Sequence, residues 1–125
     1  MFNHENLKGR VAVVTGGGGV LCGGFAKTLA AQGCKVAVLD LNEAAAQAVA
    51  DEINANGGES IAVVADVAQR DTWVKLKKLA DEKYGRIDTV VNGAAAFSPP
   101  THDWAHITSE MIEDVMSVNI DSMLY

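Results

Sequence analysis

Residues 11–40 read VAVVTGGGGVLCGGFAKTLAAQGCKVAVLD: a short apolar run, a burst of glycines, an amphipathic helical pattern and a second apolar run closing on Asp40. A glycine-rich turn between a strand and a helix brings backbone N–H groups and the positive end of the helix against a pyrophosphate. An acid at the end of the next strand reaches a ribose hydroxyl. Glycines alone are a weak signal. This cluster, however, directly follows a strand pattern, opens a helical one and is followed about twenty residues on by Asp40. The stretch therefore reads as a dinucleotide-binding βαβ unit.

The alternation continues outward. Apolar, β-branched runs recur at 11–14, 36–39, 61–64 and 87–91, each bounded by Gly, Asp or Asn, and read as strands buried on both faces. Helical spacing fills 21–32, 43–54 and 72–83, the last with Trp73, Leu76, Leu79 and Ala80 on one side. Gly33, Gly57 with Gly58, and Gly85 stand where a left-handed residue ends a helix, and Asn42 is placed to cap the second helix. After a loop with Pro99 and Pro100, a final helical pattern runs through Ile107, Met111, Ile112, Val115 and Met116 toward Leu124. Such alternation implies an α/β fold, a Rossmann-like doubly wound parallel sheet, here stopping after about four strands and five helices. In that fold the fourth strand lies beyond the first, across the switch point where the ligand binds, so it becomes an edge. An apolar edge and a last helix short of packing partners are what a chain incomplete relative to a full sheet is expected to show.

The composition excludes several classes. The net charge is -6 and the Lys and Arg residues form no run, so no nucleic-acid partner is expected. Residues 1–10 are polar and the first apolar run is too short to span a bilayer, so no membrane partner is expected and the cytoplasm is the default location. In that setting Cys22 and Cys34 read as free thiols rather than a disulfide framework. His102 and His106 are four apart, as metal ligands on a helix would be, but no Glu or third ligand stands where a zinc-protease pattern demands one. No metal is expected. Trp104, between them, reads as a loop anchor or part of a substrate rim.

Thr15-Gly16, Asp40, Asp66-Val67, Asn92-Gly93-Ala94-Ala95 and Val118-Asn119, in that order, resemble the short-chain dehydrogenase/reductase family over essentially the whole chain. The resemblance implies a nicotinamide-dependent oxidoreductase transferring hydride between NAD and a small-molecule alcohol or ketone. Residues 1–125 would then form one NAD-binding Rossmann-type domain, incomplete relative to the family, whose full-length members are homo-oligomers. Its cofactor-binding positions would be Thr15, Gly16, Gly18, Gly19, Val20 and Leu21 in the turn, with Asp40 and Leu41 after the second strand. Asp66 and Val67 would hold the adenine, and Asn92, Gly93 and Ala94 would line the cleft beside the fourth strand. Asn119 would bend the long fifth helix of the family and hold a proton-relay water, the one catalytic position implied within the chain. An ordinary polar helix residue is the plainer reading of Asn119.

The family's nucleotide signature is Thr-Gly, three residues, Gly, one residue, Gly. Aligned without gaps, its second and third glycines fall on Val20 and Cys22, while Gly17, Gly18, Gly19, Gly23 and Gly24 are additional. Either the turn is shifted by one residue or Gly19 and Gly23 take over the two jobs, and the shifted turn is the favoured reading. The run GGGGVLCGG is similar to a branch of the family resembling mannonate oxidoreductases, which hints at a sugar-acid substrate. Cys22 falls at or near a helix N-terminus, where a thiol can be activated, although a small side chain packing under the turn explains it as well.

Asp40 points to NAD, because a carboxylate accepts both ribose hydroxyls and repels the additional phosphate of NADP. Lys27 is the one basic residue in 16–28, and 36–52 has none. The family's chemistry also needs a tyrosine, a lysine four residues after it that lowers its pKa, and a carbonyl-orienting serine. Tyr84 is followed four residues later by Asp88 and Tyr125 is the last residue, so that set does not occur here. The expectation is the cofactor-binding half of a dehydrogenase, inactive in isolation. The alternative is a non-catalytic dinucleotide-binding or interaction module.

Overall fold

The computed structural model describes residues 5–96 and 104–125. The loop expected around Pro99 and Pro100 lies outside them, as do His102 and the side chain of Trp104. A 3-10 turn (Glu5–Leu7) leads into β1 (Val11–Thr15), α1 (Val20–Ala31), β2 (Lys35–Asp40), α2 (Glu43–Ala55) and β3 (Glu59–Val64). There follow α3 (Arg70–Lys83), β4 (Thr89–Val91), a 3-10 turn (Trp104–His106), α4 (Ser109–Asn119) and a last 3-10 turn (Asp121–Leu124). The strands form one parallel sheet in the order β3-β2-β1-β4. After β3 the chain crosses by way of α3 to the far side of β1, and the reversal opens a switch point between β1 and β4.

The pleat of the two central strands explains the two layers of helices. Val14, Val36 and Val38 point to one face and pack with Ala26 and Ala30 of α1 and Ala46, Val49 and Ile53 of α2. Val13, Ala37 and Leu39 point to the other, under Leu76 of α3 and with Val118 of α4 against them. Small residues on α1 let it lie close to the sheet and to α2. The expected helix ends hold: Gly33, Gly57 and Gly85 have φ of 93°, 85° and 77°, and the Asn42 side chain accepts a hydrogen bond from Ala45 N–H at 3.0 Å.

Three expectations need correction. β3 and β4 are the two edges of the sheet and are not buried on both faces, with Val64 50% and Val90 40% exposed. Leu79 sits on the wet side of α3, while Leu76 and Ala80 carry its contact with the sheet. The described residues hold four α-helices rather than about five, and the stretch toward Leu124 adds none: α4 follows its cap Thr108 and stops at Asn119, and the chain then rewinds as a 3-10 turn. Both cysteines are free thiols. Cys34 is buried with its Sγ 3.4 Å from the Leu7 carbonyl, and burial, reinforced by the charge of Asp88, pushes its thiol up.

At the end of the sheet away from the glycines, Asp88 gathers the strand starts. Its Oδ1 accepts from the guanidiniums of Arg86 and Arg10, and its Oδ2 accepts from Val11 N–H at 2.8 Å. The bond from Arg86, then that from Val11, hold its carboxyl down at about 2 against the usual 3.8. The folded state thus favours the carboxylate, so the contribution of Asp88 is fully present above pH 3.8 and is lost as pH falls through about 2. Urea midpoints of the protein and its Asp88→Asn variant should differ at pH 5 to 7 and converge toward pH 2, at about the folded pKa of Asp88. A gap of the same size at both ends of that range refutes this assignment.

Candidate cofactor cleft

The carboxyl ends of β1 and β4 are held together by one hydroxyl. Thr15 is 2% exposed; its Oγ1 donates to Val91 O at 3.2 Å and accepts from Gly93 N–H at 3.0 Å and Ala94 N–H at 3.1 Å. The segment after β4 is thereby drawn against the turn after β1. Gly16 has φ of 65°, and a Cβ on it would stand 2.9 Å from Gly93 O, so conformation and space both demand glycine. A Cβ on Gly93 would stand 2.2 Å from Cys22 Sγ. The thiol therefore occupies the room that Gly93 leaves, which supports its plainer reading as a small side chain packed under the turn.

α1 begins at Val20 with Gly19 as its N-cap and no capping side chain. Its first helical hydrogen bond runs from Gly23 N–H to Gly19 O at 2.8 Å. The N–H groups of Val20, Leu21 and Cys22 precede that bond and have no carbonyl partner within the helix. Together with the helix dipole they suit an anion. The favoured one-residue shift of the signature is not what the fold adopts. The helix starts from Gly19, one residue before the gapless position. Close packing falls on Gly23, one residue after, where a Cβ would meet Gly17 O at 3.2 Å and Val49 at 3.3 Å. Val20 instead stands 99% exposed at the mouth.

Across the mouth, Asp40 closes β2. Its Oδ2 accepts from Gly18 N–H at 3.0 Å and its Oδ1 from Asn42 N–H at 2.9 Å. Lys27, the nearby cation in sequence, is occupied elsewhere, 2.6 Å from Glu52. Beyond β3, Asp66 Oδ1 accepts from Ala68 N–H at 2.9 Å, and Trp73 Nε1 donates to Val67 O at 3.0 Å, which fixes the turn into α3.

Between these walls lies a cleft of about 420 Å³. Of the expected cofactor positions, Gly16, Gly19, Val20, Leu21, Asp40, Leu41, Asp66, Val67, Gly93 and Ala94 line it. Three do not. Thr15 lies behind the wall as its clamp, Gly18 is turned to Asp40, and Asn92 is exposed outside the lining. Leu39, Ala65, Ala95, Val118 and Cys22 line the cleft without having been expected to. The first four flank expected positions, so a strand-end reading extended by one residue would have found them; Cys22 is the gapless position of the third signature glycine. Asn119 sits at the end of α4, its Oδ1 accepting from Ala96 N–H at 2.8 Å and its Nδ2 donating to Ala96 O at 2.9 Å. These residues fit a dinucleotide: helix N–H groups without a helical partner for the phosphates, a carboxylate in the lining for a ribose and apolar walls for the rings.

The clamp and the thiol contact generate two predictions. Thr15→Val leaves Ala94 N–H unpaired, while Gly93 N–H keeps Val91 O at 3.0 Å, and should lower unfolding free energy by about 2 kcal/mol in urea titrations. A loss below about 0.5 kcal/mol would mean that the hydroxyl clamps nothing. Gly93→Ala should weaken dinucleotide binding, because the new methyl meets Cys22 Sγ at 2.2 Å and Thr15 O at 2.8 Å, and Cys22→Gly in the same protein should restore part of it by removing the first of these contacts. A double variant as weak as the single one removes Cys22 from the explanation.

The family model described as short chain dehydrogenase matches residues 10–125. The chain is 45% identical over 96 residues to the uncharacterized oxidoreductase UxuB of Bacillus subtilis, covering 77% of this chain and 34% of that protein. It is 36% identical over 105 residues to 7alpha-hydroxysteroid dehydrogenase of Escherichia coli, covering 82% of this chain and 41% of that protein. Among solved structures, a putative D-mannonate oxidoreductase from Haemophilus influenzae with bound NAD superposes with a TM-score of 0.87 at 30% identity, covering 97% of this chain and 49% of that one. A 3-ketoacyl-(acyl-carrier-protein) reductase from Brucella melitensis complexed with NADH does so with a TM-score of 0.85 at 31% identity, over 94% of this chain and 47% of that one. A metagenomic short-chain oxidoreductase, 26% identical with a TM-score of 0.82 over 92% of this chain and 52% of that one, is in complex with NADP. The chain thus spans between about a third and a half of the length of the relatives it matches. With its Rossmann-like sheet, glycine turn and switch-point cleft, the chain belongs to the short-chain dehydrogenase family of oxidoreductases, whose cofactors are nicotinamide dinucleotides.

Proposed function

We propose that this chain supplies the NAD-binding part of a dehydrogenase that oxidises a small alcohol or reduces the matching ketone, with a sugar acid as the substrate class. The observation that carries the NAD assignment is Asp40, a carboxylate at the cleft mouth with no cation paired to it among the described residues. A 2′-phosphate there would meet like charge and find no guanidinium. The NAD-bound mannonate oxidoreductase neighbour supports the cofactor and the sugar-acid class together.

In this reading the N–H groups at the start of α1 bind the pyrophosphate, Asp40 with Leu41 takes the adenosine ribose, and Asp66 with Val67 borders the adenine. Gly16, Gly19, Val20 and Leu21 form the turn side of the cradle, Thr15 and Gly18 support it from behind, and Gly93 and Ala94 form the opposite wall, with Asn92 at its rim. The nicotinamide, when bound, exchanges hydride with the substrate carbon. Asn119 is proposed to hold the proton-relay water. Its amide oxygen and nitrogen each spend one hydrogen bond on Ala96 and keep one free. No described helix is long and apolar enough to cross a membrane, and the proposed setting is the cytoplasm, with the whole protein acting as a homo-oligomer on a small molecule.

Titration calorimetry with NAD and NADP tests the cofactor assignment. NAD should bind at least about tenfold more tightly, and equal or tighter NADP binding would overturn it. With NAD and a panel of polyols and sugar acids, the 125-residue chain alone should form no NADH, since it holds no Tyr-x-x-x-Lys pair. Steady NADH formation would require other proton-transfer groups in this chain.

A further inference from the structure

We infer that Asp40 is also the latch of the glycine turn, so that cofactor selectivity and turn geometry depend on one carboxylate; the selectivity half rests on the NAD reading above. Among the amides of residues 17–19, Gly17 N–H donates to Leu39 O and Gly19 N–H to Gly16 O, both at 3.1 Å. Those partners are backbone and survive any substitution. Gly18 N–H donates instead to Asp40 Oδ2 at 3.0 Å, a partner that a substitution removes. The space around Gly18 leaves the turn little freedom to answer otherwise, because a Cβ there would stand 2.8 Å from Ala45 Cβ and 2.9 Å from Ala46 N. The turn is pressed against the first residues of α2. The other oxygen of Asp40 holds Asn42, which caps that helix. One side chain therefore ties together the end of β2, the turn and the start of α2.

The latch does not compete with ribose binding. A carboxylate offers about four lone-pair positions, and two backbone N–H groups leave about two for the two ribose hydroxyls. Replacing Asp40 to admit a 2′-phosphate removes the repulsion and also frees Gly18, so the pyrophosphate side of the cradle slackens at the same time. Alanine removes both acceptors. Asparagine keeps one acceptor oxygen, which can hold Gly18 N–H.

Amide hydrogen exchange resolved by NMR in the ligand-free protein reads the latch directly. Gly18 N–H should exchange at least about tenfold faster in Asp40→Ala than in the wild type, with Asp40→Asn between them. Titration with adenosine, which carries the ribose but no phosphate, separates the two jobs. Asp40→Ala should weaken NAD by about tenfold more than it weakens adenosine, and should bind NADP no more tightly than the wild type does. Unchanged Gly18 exchange, equal losses for adenosine and NAD, or a gain in NADP affinity each overturns the latch. If Asp40→Ala does not fold, Asp40→Asn carries the same comparisons with smaller changes. A wild-type protein that binds neither adenosine nor NAD overturns the cofactor reading instead, while the exchange result still decides the latch.

Discussion

The cleft depends on the approach of two backbones, the turn after β1 and the segment after β4, which meet at Gly16 and Gly93. In a parallel sheet, neighbouring strands diverge at their carboxyl ends once the chain leaves the ladder, and a switch point opens there by topology alone. Thr15 limits how far it opens. By donating to Val91 O and accepting from Gly93 and Ala94 N–H, its hydroxyl replaces the ladder hydrogen bonds that β4, only Thr89–Val91, is too short to make. Water cannot stand in at a side chain 2% exposed, so the three bonds are made within the protein or lost. The side of the cleft between β1 and β4 takes its position from that clamp: Gly16 must be free of a side chain, Gly93 likewise, and Cys22 is small enough to fill what remains.

Local and periodic features were legible in the sequence because their physics is local. The apolar runs of β1 and β2, the helix-ending Gly33, Gly57 and Gly85, and the Asn42 cap each follow from neighbours a few residues apart. Burial of the outer strands was not legible. Val64 and Val90 have the same β-branched character as Val38, but exposure is set by whether another strand or helix lies beside them, which depends on the strand order. The same holds for Leu79, whose helical phase allows either side of the stripe until Leu76 and Ala80 dock.

The cradle shows the limit more sharply. Spacing placed the glycines in the turn between β1 and α1, yet it could not say which glycine starts the helix and which packs against its neighbour, because Gly19 and Gly23 are chosen by contacts with Gly16, Gly17 and Val49. Cys22 in place of a signature glycine looked like an anomaly along the chain. In space it is paired with Gly93, whose missing side chain leaves the room the thiol fills, a contact that no local pattern encodes. Asn92 runs the other way: it belongs to a recognisable motif but turns outward, while its neighbours Gly93 and Ala94 face the cleft.

Asp88 and Asp40 stand at opposite ends of the same sheet, and the comparison explains why one is structural and the other suits a ligand. Asp88 faces two guanidiniums and a backbone N–H, so its charge is matched and its oxygens are taken. Asp40 accepts two backbone N–H groups, which orient it without neutralising it, and no described cation pairs with it. It keeps both a negative charge and free lone pairs at the mouth of a cleft whose other lining residues, Asp66 apart, are apolar or glycine. A carboxylate held in that condition by backbone alone is rigid enough to read two hydroxyls and charged enough to repel a phosphate. The same bonds that orient it also set the turn it faces, so in the proposed reading the recognition of the ribose and the grip on the pyrophosphate would be properties of one residue rather than of two independent sites.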